Sequence, residues 1–137
     1  MKKILIVALI LVAIGLVVGY KLWNKPHENI SDQKVEFSLN AKDVLSEFEK
    51  SEAEANTKFM NKIIEVSGKV ANIESNDSTS IITLDTENPM SGIICELDPF
   101  SKHKRTKFEV GEAVKFKGIC TGFLSDVIMS RCVECDK

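Results

Sequence analysis

The strongest constraint on this chain is its beginning. After Met1, Lys2 and Lys3 comes an unbroken apolar run from Ile4 to Tyr20, followed by Leu22 and Trp23. As a helix, such a run approaches the ~30 Å hydrocarbon thickness of a bilayer. Tyr20 and Trp23 fall where aromatic rings prefer the headgroup level. A cleaved leader is the competing reading, with an apolar core of only ~7–15 residues and a small-x-small exit. Val17-Val18-Gly19 matches that exit poorly, and no cysteine near residue 20 offers a site for lipid attachment. The expectation is a transmembrane anchor over residues 1–23, with the membrane engaged through residues 4–23.

Charge sets the orientation. Basic residues flank the run on both sides, at Lys2 and Lys3 and at Lys21 and Lys25, but the segment beyond is strongly acidic. Short basic flanks tend to stay in the cytoplasm. The expectation is a cell-membrane, single-pass protein whose C-terminal domain is extracytoplasmic. Four cysteines in that domain would then meet oxidising conditions.

The rest of the chain divides by its hydrophobic period. Residues 24–38 are polar, hold one proline and read as a linker. Over 39–61, Ala41, Val44, Leu45, Phe48, Ala55 and Phe59 recur at helical steps, predicting an amphipathic helix that packs on something else. Ser38 or Asn40 can cap it. After Lys62 the period becomes two. Ile64, Val66, Gly68 and Val70 share one face, and turn signals at 76–78 and 87–92 separate two further strands. An irregular stretch over 99–112 precedes a fourth and a fifth strand. A long glycine-bearing first strand, and a break between the third and fourth, give the order of a five-stranded OB barrel over 62–137.

Three segments carry a resemblance: "EANTKFMNKIIEVSGKVANI" (54–73), "GIICEL" (92–97) and "VKFKGICTGFLSDVIMSRC" (114–132). They resemble the bacterial tRNA_anti-like family of OB-fold proteins. The resemblance implies the barrel and an exported or membrane-bound setting. Its name implies kinship with anticodon-binding domains, which is a statement about fold, not task.

Cys95, Cys120, Cys132 and Cys135 invite three readings. Cys132-Val-Glu-Cys135 has the form of a zinc or redox motif. On a strand, however, residues three apart face opposite ways, and no helix N-terminus follows to stabilise a thiolate. The cross-link reading places Cys120 on the core face with Val114, Phe116 and Gly118. A hairpin centred near Ser125-Asp126 sets it opposite Cys132, at the ~4.5–5.5 Å Cα spacing a disulfide accepts. The expectation is a Cys120–Cys132 disulfide, with Cys95 a competing partner.

Nucleic-acid binding by OB-folds uses aromatic stacking and a basic groove. No Phe, Tyr or Trp lies between Asn61 and Pro99, and beyond residue 20 there are 16 Lys and Arg against 20 Asp and Glu, a net of −4. One basic segment remains: Lys102, Lys104, Arg105 and Lys107, with Lys115 and Lys117 on the following strand. These are the candidate anion or partner contacts. No phosphate loop, nucleophile elbow or paired histidine ligands occur, so no catalytic residue, metal or cofactor is expected. The expected function is a non-catalytic binding module for a protein or envelope partner. The alternatives are single-stranded nucleic-acid binding through 102–117, and thiol-redox or metal chemistry at Cys132 and Cys135.

Overall fold

A computed structural model describes residues 2–24, 29–76 and 79–135, with side chains from residue 10 onward. Linker residues 25–28 and part of the expected turn at 76–78 therefore lie outside the described residues.

Helix α1 spans Lys2–Trp23. Its described side chains pack on nothing: Ile10, Leu11, Val12, Ile14, Leu16, Val17 and Leu22 are each at least half exposed, and Trp23 is 92% exposed. Among the described residues no helix is long and apolar enough to cross a membrane; for α1 those side chains cover only residues 10–23.

Five strands close the barrel: β2 (Ile63–Ser75), β3 (Ser80–Leu84), β4 (Ile93–Leu97), β5 (Ala113–Phe123) and β6 (Val127–Glu134). They run in the order β2-β3-β4-β6-β5, and β5 returns to β2. The long strand β2 makes closure workable. Its first half pairs with β5 from Ile63 to Lys69, and its second half pairs with β3 from Val70 to Ser75. Alternation does the rest, since Ile64, Val66, Val70, Ile82, Leu84, Ile93, Cys95, Phe116, Val127 and Met129 all turn inward and are fully buried. This is the OB topology expected from the period-two runs.

Two elements differ from expectation. The helical segment is two helices, α2 (Ala41–Lys50) and α3 (Glu52–Phe59). Ser51 is extended between them (φ −160°, ψ 100°), and its hydroxyl accepts from Glu54 N–H at 3.4 Å. A serine that satisfies an orphan N–H starts a new helix instead of continuing the old one. Ala41, Val44, Leu45 and Phe48 of α2 and Ala55 and Phe59 of α3 still face the core, as their spacing requires. Phe48 stacks on Phe123 at 5.4 Å between ring centroids, and Phe37 meets Phe59 edge-on at 5.4 Å.

The expected linker also carries structure. A 3-10 turn at Ile30–Asp32 lies against β5 and β6 with Ile30 buried. Then β1 (Phe37–Asn40) pairs in parallel with Ile64–Ser67 of β2. It occupies the edge of β2 that β3, which pairs only from Val70 onward, leaves open.

Candidate functional site

Strands β4 and β6 run parallel, and the segment leaving β4 carries the basic residues. Its first residue, Asp98, is 1% exposed. Its carboxylate accepts from Ser101 Oγ at 2.8 Å and from Phe100 N–H at 3.1 Å, and lies 3.7 Å from Arg131 Nε. Burial alone would raise its pKa, but these hydrogen bonds and the Arg131 charge outweigh it and hold the carboxyl below the usual range. His103 donates through Nε2 to the Asp98 carbonyl at 2.6 Å, a bond only that tautomer can make. Asp98 thus folds the 98–103 segment onto the barrel. Nothing in the sequence marks it as buried; its one signal is the Asp-Pro turn pair.

The six candidate contacts do not form one stripe. Arg105 is committed: its guanidinium binds Glu134 at 2.6–3.1 Å and Glu112 at 2.7 Å, and sits 4.6 Å from the Phe108 ring centroid. Its pKa is raised, chiefly by the hydrogen bonds to Glu134 and Glu112. Lys115 pairs with Glu65 at 3.4 Å. Lys102, Lys104 and Lys107 stay exposed on the segment.

Lys117 is the exception to its strand. By alternation it points outward, yet it is only 8% exposed. The 3-10 turn covers it, and its ammonium donates to the carbonyls of Ser31 at 2.7 Å and Gln33 at 3.0 Å. Above it lies a cavity of about 290 Å³, lined by Ser31, Lys102, His103, Lys104, Lys117 and Cys135 among others. A larger cleft of about 510 Å³ at the start of α2 mixes Lys42, Asp43, Lys69, Asp85 and Glu87, so its charges largely cancel. The outer face of β3 and β4 presents Ile81, Thr83, Ile94 and Glu96, without an aromatic ring or a cation.

The cysteines correct one expectation. Met129, not Cys132, lies opposite Cys120. The β5–β6 register shifts once across Gly118, between Lys117 and Ile119, and again between Cys120 and Gly122, and Arg131 takes a left-handed conformation (φ 54°). These irregularities turn Cys132 toward β4, where it aligns with Leu97 and its thiol interacts with Cys95. All four thiols are free, and Cys95, Cys120 and Cys132 are buried. Burial, with Cys95 alongside, pushes the Cys132 thiol well up; burial also raises Cys120 and Cys135. A reactive thiol requires the opposite environment. Among the described residues no cluster of three or more His, Cys, Asp or Glu is placed to hold a metal.

A small closed barrel of this topology, with a loop-borne cavity and an outer strand face lacking stacking rings, defines an OB-fold domain. The chain belongs to the tRNA_anti-like family, whose model matches residues 1–134. No curated protein matches it. Among solved structures it is similar to one described as a "putative nucleic acid-binding lipoprotein" from Klebsiella pneumoniae subsp. pneumoniae. That match has a TM-score of 0.54 at 12% identity, over 82% of this chain and all of that one. It is also similar to an OBody bound to hen egg-white lysozyme, with a TM-score of 0.40 at 14% identity, over 58% of this chain and 87% of that one. At 12% identity the likeness to the Klebsiella structure is one of fold.

Proposed function

We propose that the chain is a single-pass, N-terminally anchored OB-fold module that faces the extracytoplasmic side and binds a partner without catalysing a reaction. The observation that carries this reading is α1. Its described apolar side chains, from Ile10 to Trp23, occupy every face of the helix and remain exposed. A helix that is hydrophobic all round needs a core or a bilayer around it, and here the barrel does not supply the core. The similar Klebsiella structure is described as a lipoprotein, which accords with a barrel held at a membrane; this chain would be held by its helix instead of a lipid.

The test is alkaline carbonate extraction, combined with alkaline phosphatase and fluorescent-protein fusions at the C-terminus. The expected result is retention in the membrane pellet with an active phosphatase fusion. Release into the supernatant would overturn the anchor, and a fluorescent but phosphatase-silent pair would overturn the orientation.

The same Klebsiella description favours a second reading, nucleic-acid binding. Exposed Lys102, Lys104 and Lys107 would have to carry it, because Lys117 is buried and Arg105 and Lys115 are only partly exposed. A single-stranded oligonucleotide whose affinity falls steeply with salt, and is lost when these three lysines become glutamate, would establish it over the first.

A further inference from the structure

We propose that the cavity over Lys117 is a binding site for a phosphate group; this rests on the reading of the barrel as a binding module. A buried ammonium is costly unless its charge is answered. The Ser31 and Gln33 carbonyls take two of its three protons, and among the described residues no carboxylate forms an ion pair with it. Two neighbouring carboxylates are committed elsewhere. Glu65, directly across on β2, binds Ser38 Oγ at 2.7 Å and pairs with Lys115 at 3.4 Å; Glu134, on the cavity wall, is held by Arg105. The cavity therefore keeps a positive floor.

Its walls add to that charge. Lys102 is exposed on the rim and has no ion pair among the described residues, and Lys104 stands beside it. His103 is fixed by its bond to the Asp98 carbonyl, so this wall is built in place. Two or more ammoniums converging on a cavity of about 290 Å³ suit a compact, doubly charged oxyanion better than a singly charged carboxylate. The phosphate could belong to a lipid headgroup or to a free ion. Position brings the headgroup within range, because Ser31 follows Trp23 by eight residues, a span of at most ~28 Å.

The test uses the full chain in a non-ionic detergent and titrates inorganic phosphate by calorimetry at constant ionic strength, with chloride as control. The expected result is saturable binding of phosphate alone, weakened about tenfold in Lys102→Glu and lost in Lys117→Met. Lys117→Met could fail to fold, so Lys102→Glu, an exposed position, decides with circular dichroism confirming its fold. Absence of saturable binding, or binding unchanged in folded Lys102→Glu, overturns the proposal. Reconstitution in phosphatidylcholine discs with and without phosphatidic acid then separates the sources. Acidic discs that abolish the heat of added phosphate identify the headgroup, and equal heats in both identify the free ion. A chain that stays in the carbonate pellet yet shows no phosphate heat loses this site and keeps its anchor. The reverse result loses the anchor and keeps the site.

Discussion

Gly118→Ala gives the sharpest test of the β5–β6 register. A Cβ at this position would stand 2.6 Å from Cys132 Sγ, 3.0 Å from the Ser130 carbonyl oxygen and 3.3 Å from Cys132 Cα. Ordinary carbon contacts lie near ~3.5–4.0 Å. The sulfur could rotate away, but the other two obstacles are backbone atoms of the paired strand and can yield only if β6 moves. Overpacking a filled core costs ~1–3 kcal/mol, and backbone obstruction puts this case at about 2–3 kcal/mol. For a domain of this size that corresponds to a fall of roughly 10–20 °C in melting temperature. The assay is far-UV circular dichroism of the full chain in neutral detergent, with thermal and urea unfolding. Repeating the substitution in a Cys132→Ala background removes the sulfur contact and should return about 1 kcal/mol of the loss as coupling. A Gly118→Ala protein within ~0.5 kcal/mol of the parent would refute the reasoning, because it would mean that Cys132 does not sit against Gly118.

Two further outcomes are expected. Cys120 and Cys132 are both fully buried with raised pKa values, so each keeps its proton in the fold at a pH where the unfolded chain, near the ordinary 9.0, would release it. Their stabilisation is complete below pH 9 and is lost as pH rises through their folded values. Stability should fall by ~1.4 kcal/mol per thiol per pH unit across that window, and urea midpoints measured from pH 7 to 11 would expose a flat profile as a failure. Arg105→Gln removes the clamp to Glu134 and Glu112 and should free the 98–112 segment, so limited trypsin digestion should cut faster at Lys102, Lys104 and Lys107. Equal digestion rates would show that Asp98 and His103 hold the segment unaided.

Some of this was legible from residue pattern alone. Val114, Phe116, Gly118 and Cys120 share a parity, and all four are buried; Cys95 turns inward with Ile93 and Leu97 for the same reason. What escaped depended on partners distant in sequence. Lys117 has outward parity, and only the 3-10 turn 84 to 86 residues earlier buries it. Strand β1 is four residues astride the boundary between the expected linker (24–38) and the expected helix (39–61), too short for a period to register, and exists because β2 offers an open edge. The Cys120–Cys132 opposition assumed an unbroken ladder, whereas register shifts carry no signature in composition. Within the basic segment, the sequence shows the cations of 102–107 but not which ones the carboxylates of Glu112 and Glu134 have already taken.

Strand β1 has a consequence for how the chain is made. The half of β2 that it covers would otherwise offer a row of unpaired N–H and C=O groups, the kind of edge on which newly made chains stick to one another. Synthesis proceeds from the N-terminus, so residues 37–40 emerge from the ribosome before residues 63–75 do. The cover is in hand before the edge it must cover exists, and neighbouring chains find that position already filled by the molecule's own strand.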